Sequence, residues 1–231
     1  MAKIDIAGKA ADAVKGKALA VKENLTEVDI ENILDSCYEQ AINGIPKVSK
    51  TVEELVDDYA KKHDTKEEAA KALIHGQLAK CSTSGFLAGL GGLITLPVAI
   101  PANISSVIYV QLRMIAAIAK LGGYDPRDDQ VQTLAYVCLT GQAASAVLKD
   151  AGVAIGGKMA IAGIKKIPGE VLVAINQKVG FRLLTKFGET GVINLGKAVP
   201  VVGGIVGGGF DFATTKIIAN NAYKMFILGK F

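Results

Sequence analysis

The chain has 231 residues, of which 50% are hydrophobic and 21% charged, with a net charge of +4 and a pI of about 8.8. A mean hydropathy of +0.35 excludes disorder, because such a chain has ample apolar surface to offset its entropy. Trp is absent and no Lys/Arg cluster occurs, which excludes a face of interleaved cations and stacking aromatics for nucleic acid; a mildly basic, apolar protein suits an anionic membrane surface better.

Residues 1–25, MAKIDIAGKAADAVKGKALAVKENL, carry charges throughout and no uninterrupted apolar core, so they are not a secretory signal. Ile4, Val14, Ala18 and Val21 share one side of a predicted amphipathic helix, with Lys3, Lys9, Lys15, Lys17 and Lys22 supplying charge. Two readings stay open: a domain-starting helix, or an arm that lies on a membrane surface. The rest, 26–231, reads as one helical domain.

Thr26 and Asp29 have the chemistry of an N-cap and an acidic first turn. Ile30, Ile33, Leu34, Cys37 and Ala41 then follow the spacing of one buried helix face, ended by Asn43-Gly44 and Pro46. Thr51 opens a second helix, TVEELVDDYAKKH. Thr65 opens a third, with Glu67 and Glu68 in its first turn and Ala70, Leu73, Ile74 and Leu78 on its apolar side.

From Cys81 to Leu112 no charged residue occurs. The length permits a membrane span, but Pro97 and Pro101 remove backbone donors, and Gly85, Gly89, Gly91 and Gly92 crowd the part before them. The expectation is a helix to about Leu93, a bend over 95–101, and a new helix from Pro101. Asn103, Ser106, Arg113 and Lys120 form a narrow polar stripe on that helix. Gly122-Gly123 ends it, and YDPRDD at 124–129 reads as an exposed turn. Further helices are predicted over roughly 128–149, within 152–163, from Pro168 to Phe187, and through the last stretch from VPVVGGIVGGG. Period-two alternation is missing, so the fold class is all-α: a single compact bundle of about eight or nine helices with Gly-rich, closely packed central helices. The pairs Gly85/Gly89, Gly203/Gly207 and Gly204/Gly208 put small residues on one face, for tight packing in one domain or for packing within lipid.

The segment GFLAGLGGLITLPVAIPANISSVIYVQLRMIAAIAKLGGYDP resembles the core of EcsC-family proteins. Those typically show a Gly-rich apolar stretch, a Leu-Pro then Ile-Pro-Ala break, a helix with a central Arg, and a Gly-Tyr-Asp turn. KAVPVVGGIVGGGFDFATTKIIANNA is similar to the family's closing pattern. The matching positions are Gly89, Pro97, Pro101, Arg113, Gly123, Tyr124, Asp125, Pro200, Gly203, Gly204, Gly208 and Asp211. The family is named for a bacterial component encoded beside an ABC transporter. The resemblance implies a helical protein and carries over no catalytic residue.

Chemical motifs are few. His63 and His75 are the only histidines and fall on different predicted helices, without zinc-site spacing. Neither GLGGL at 89–93 nor VGGIVGGG at 202–209 matches a phosphate loop, and no G-x-S-x-G occurs. No metal, cofactor or catalytic residue is expected. Cys37, Cys81 and Cys138 read as reduced, buried, small apolar residues of a cytoplasmic protein. Arg113 and Asp211 each sit in an apolar helix, where an unpaired charge is costly; they are expected to pair, or Arg113 to meet an anionic headgroup. The leading expectation is a non-enzymatic protein bound peripherally to the cytoplasmic face of a membrane, accessory to an ABC transporter or secretion apparatus, with membrane surface or lipid as its partner and no nucleic acid. A lipid tunnel would be lined by residues such as Leu96, Val107, Ile115 and Ile205. The alternatives are a bundle that inserts its Gly-rich helices into lipid, and an enzyme acting on a hydrophobic substrate.

Overall fold

The computed structural model describes residues 27–81, 102–152, 161–185 and 203–230. Among them the only extended pairing is an isolated bridge between Ile45 and Ser49; everything else regular is helical, as the absence of period-two patterning predicts. The N-terminal arm, the Gly-rich stretch with Gly89, the Pro97/Pro101 break and Pro200 lie outside the described residues.

Helix α1 (Glu27–Asn43) buries the predicted stripe, Ile30, Ile33, Leu34, Cys37 and Ala41, extended by Tyr38 and Ile42. It stops at Gly44, whose φ is 73°, and a Cβ there would sit 2.5 Å from the Ser49 carbonyl oxygen. Helix α2 (Val52–Ala60) is started by a complete capping box: Glu54 N donates to Thr51 Oγ1 at 3.1 Å, and Thr51 N donates to Glu54 Oε2 at 2.9 Å. Thr65 Oγ1 accepts from Glu68 N at 3.2 Å at the start of α3 (Lys66–Cys81).

Helix α4 (Ala102–Leu121) is the axis of the bundle. Elements α1, α2, α3, α5 (Asp129–Leu139), α9 (Gly203–Ala222) and the π-turn Tyr223–Ile227 all pack on it. From Ile108 to Ala119 every residue is buried, Gln111 and Arg113 included. A helix that is apolar all round requires such enclosure. The predicted polar stripe is therefore not a solvated face: Ser106 and Arg113 are inside, and Lys120 is only partly exposed. The Gly-rich stretch expected at the centre of the bundle, 85–93, lies outside the described residues. Alanines at 116, 117 and 119 provide the close approach. Gly203, Gly204 and Gly208 open α9, and their surroundings are outside what is described.

The end of α4 explains a whole motif. Tyr124 N donates to the Ala119 carbonyl and Gly123 N to the Lys120 carbonyl, both at 3.0 Å, the pair of bonds that defines a Schellman cap. Gly123 has φ 90°, a conformation that suits glycine. Gly122 is required for space, since a Cβ there would lie 2.2 Å from the Phe226 carbonyl oxygen. The expected exposed turn is only half exposed. Tyr124 is buried edge-on against Phe226, with ring centroids 5.2 Å apart, and the Pro126 carbonyl accepts the Tyr38 hydroxyl at 2.9 Å. Asp125 Oδ1 accepts from Arg127 N at 3.0 Å and holds the outer part. Gly123, Tyr124 and Asp125 thus fix how the C-terminal π-turn docks on α4.

The helix expected over 128–149 is broken. Helices α5 and α6 (Ala144–Asp150) are bent by 111°. Thr140 donates back to the Val137 carbonyl at 2.8 Å, and Gly141 takes a φ of 74°, so the chain turns there. Helix α7 (Ile161–Ile164) is a single turn, and α8 (Gly169–Thr185) packs on α1, α5 and α6. Among the described residues no single helix is long and apolar enough to cross a membrane; the bent α5–α6 pair alone meets that test jointly.

Gly122→Ala is expected to destabilise the fold by about 1–3 kcal/mol through overpacking against the Phe226 carbonyl, and Gly123→Ala by about 1 kcal/mol through its positive φ. Urea unfolding monitored by circular dichroism checks both; an unchanged midpoint for Gly122→Ala would show that the π-turn is not docked as described.

Candidate functional site: a cavity over a buried arginine

Helices α2, α3 and α4 and the 45–50 loop enclose a cavity of about 370 Å³. Its polar lining comes from Ser49 and Lys50 on the loop, Asp58, Tyr59 and Lys62 at and beyond the end of α2, Gln77 on α3, and Tyr109 and Arg113 one turn apart on α4. Val48, Leu55 and Val110 supply apolar wall.

Arg113 is 5% exposed. Its Nη1 donates to the Ala41 carbonyl at 3.1 Å, near the C-terminal end of α1 where carbonyls lack helical partners. Burial pulls the guanidinium pKa below its ordinary value, opposed by Tyr109, through charge and a hydrogen bond, and by Glu54. Among the described residues no carboxylate forms an ion pair with it. The predicted partner Asp211 lies on α9, and its side chain falls outside the described residues. The contact of α4 with α9 is marked by Gln111, which donates to Thr215 at 2.9 Å. Gln111 lies two residues before Arg113, roughly 200° around a helix of 3.6 residues per turn, whereas Arg113 turns to α1 and the cavity.

Gln77 is 1% exposed, and its Nε2 has no hydrogen-bond partner among the described residues. The Tyr109 and Ser49 hydroxyls share a 2.6 Å hydrogen bond, and Ser49 Oγ also accepts from Ile45 N at 2.9 Å. At the rim Lys50 Nζ pairs with Asp58 Oδ2 at 2.5 Å, which raises the lysine pKa and lowers that of the carboxyl.

The sequence singles out Arg113 by its apolar context and misses the others. A signal for Gln77 exists: it occupies the apolar stripe of α3, between Ile74 and Leu78, where an amide has no reason to be unless it meets something polar. Nothing in local spacing brings Ser49 and Tyr109 to the same wall. Of the residues expected to line a lipid tunnel, Val107 and Ile115 are not part of this cavity, and Ile115 is fully buried; Leu96 and the side chain of Ile205 are outside the described residues.

The remaining polar clusters are structural. Tyr136 donates to Asp35 Oδ1 at 2.6 Å, and Gln132 Nε2 donates to the same oxygen at 2.8 Å, tying α5 to α1. Burial first, then Asp35, raise the Tyr136 pKa, so the phenol stays protonated. His75 is exposed and His63 partly so. No group of metal-binding residues occurs among the described residues. Cys37 and Cys138 are free and buried; burial pushes the Cys37 thiol up to about 12 and raises Cys138 as well. The side chain of Cys81 lies outside the described residues.

Fold and site define an all-helical protein built round an enclosed helix, with a cation-bearing cavity. The EcsC protein family matches residues 10–228, nearly the whole chain, and the chain belongs to that family. The match starts inside the stretch read as an N-terminal arm. No curated protein and no solved structure matches the chain.

Arg113→Met is expected to leave the protein folded with a stability change within about 3 kcal/mol, because loss of the bonds to the Ala41 carbonyl and Tyr109 is offset by relief of a buried charge; a larger loss in urea would make Arg113 a structural residue. In a Cys81→Ser background, Cys37 and Cys138 are expected to resist alkylation at pH 8 until the protein unfolds, since the thiolate is the reacting form; rapid native labelling, read by mass spectrometry, would contradict their burial.

Proposed function

We propose that the chain is a non-enzymatic protein that binds peripherally to an anionic membrane surface, as an accessory to a membrane-bound assembly such as a transporter. The observation that carries this reading is the outer face of the C-terminal helix. Phe212 (39% exposed), Ile217 (51%) and the exposed Lys216 stand on it, and Lys224, Leu228 (39%) and Lys230 are exposed in the π-turn and the residues after it. From Phe212 to the end of the chain there is no Asp or Glu. Thr215, Ile218, Ala219 and Ala222 on the opposite side are buried in the bundle. A basic face with protruding apolar side chains matches the two attractions of an anionic bilayer: headgroup charge, and burial of apolar groups at the acyl boundary.

Further support comes from the high apolar content and the mild basic charge. On this reading, binding is expected to weaken with salt through the lysines and to persist in part through the large apolar side chains.

The test is flotation of the full chain with vesicles of phosphatidylglycerol and phosphatidylcholine, compared with phosphatidylcholine alone. Lys216→Gln with Lys224→Gln removes about 2 kcal/mol of surface attraction, so vesicle affinity is expected to fall about 30-fold. Binding that is independent of these lysines, or absent on anionic vesicles, would remove the basis of the reading.

A further inference from the structure

We infer that the cavity over Arg113 is a binding site for a phosphate-type oxyanion, free or carried on a lipid headgroup. The inference rests on a different part of the molecule from the α9 face and does not depend on it. Two buried side chains bring more N–H donors to one cavity than the described residues match with acceptors. The Arg113 guanidinium has five N–H groups; the bonds it makes go to the Ala41 carbonyl and to Tyr109. Gln77, almost fully buried, brings an amide Nε2 that has no hydrogen-bond partner among the described residues. In the Tyr109–Ser49 pair one hydroxyl donates to the other, and because Ser49 Oγ also accepts from Ile45 N, one hydroxyl proton of the pair is left over. Each of these groups lines the same space.

The chemistry of the lining selects the ligand. A neutral ligand would leave the guanidinium charge uncompensated, and a cation would add to it. Among anions, Arg113 and Tyr109 approach from α4, Gln77 from α3 and Ser49 from the loop, so donors converge from three elements. That suits a tetrahedral oxyanion with several terminal oxygens better than a planar carboxylate, which one guanidinium fork satisfies alone. The rim carries Lys50 and Lys62 against the single carboxylate Asp58, which Lys50 already engages. Nearby Lys62 also helps hold Asp58 charged, and with two lysines to one lining carboxylate the rim keeps a net positive charge that draws an anion in. A cavity of about 370 Å³ holds a phosphate group and a short organic moiety, at the small end of ligand-site sizes.

The test uses the full chain and three probes: inorganic phosphate, glycerol 3-phosphate, and vesicles containing phosphatidic acid, each against chloride at equal ionic strength. Phosphate is expected to raise the Tm saturably and to bind measurably by calorimetry. Arg113→Met should weaken that binding more than tenfold, Gln77→Met about fivefold, and Lys62→Gln two- to threefold. Gln77→Met keeps the length of the side chain and removes the unpartnered Nε2 donor, so it is expected to fold and remains informative if Arg113→Met folds poorly. Variant-sensitive binding of the soluble phosphates without a preference for phosphatidic acid would identify a soluble phosphate ester as the ligand. The same sensitivity confined to phosphatidic acid vesicles would identify a headgroup. Absence of binding to all three probes, or binding that Arg113→Met and Gln77→Met leave unchanged, overturns the proposal. The Lys216/Lys224 variant keeps inorganic phosphate binding if the two sites are separate, so failure of the membrane reading does not disguise itself as failure of this one.

Discussion

The enclosure of α4 is the constraint on which the rest of the protein depends. A helix whose residues 108–119 are all buried must be covered on every side, and the chain does so with helices from both its N-terminal and C-terminal parts. Fully burying each large aliphatic residue contributes roughly 2 kcal/mol, so Leu112, Ile115 and Ile118 reward this arrangement strongly. Small residues at 116, 117, 119 and 122 set how closely the neighbours approach. At Gly122 the approach is backbone to side-chain-free backbone, with no room for a methyl group.

Against that background a charge in the middle of α4 is anomalous. Everything else on the helix follows from covering an apolar cylinder; Arg113 does not. Its pKa is lowered by burial yet remains that of a group that cannot lose its proton in a protein. The bundle therefore carries a permanent cation at its core, steered away from the α9 side and toward α1 and the cavity. Gln77 repeats the anomaly on α3, where an amide interrupts an apolar stripe. Two departures from an apolar pattern on neighbouring helices, meeting in one space, are the observations on which the proposed oxyanion site rests. Selection for stability alone would have placed apolar residues at both positions.

The legibility of the sequence follows the range of the interactions. Helix starts at Thr51 and Thr65 are readable because a cap is satisfied within three residues. The family motif around Gly123 is readable as a motif but not as a turn. Its Gly residues serve a Schellman cap and the distant Phe226 carbonyl, so Tyr124 is buried although its neighbours Asp125 and Arg127 announce an exposed loop. The α5–α6 break is hidden because Thr140 and Gly141 are compatible with a helix; only the bend reveals their use. The polar stripe of α4 is legible as a pattern but not in its surroundings. Helical spacing places Ser106 and Arg113 on one side, but spacing cannot say whether that side meets water or another helix.

The two sites divide the work suggested by the composition. The apolar and basic character of the whole chain resolves into an outer face on α9 and an inner cavity bounded by α2, α3 and α4. Helix α9 packs on both α3 and α4, so the face and the cavity share the same two supporting helices. Occupying the cavity with an anion would neutralise the charge inside α4 and satisfy the amide on α3, tightening the pair of helices on which α9 rests. A ligand that binds the folded bundle and not the unfolded chain would stabilise those helices by mass action, whether or not the outer face is engaged.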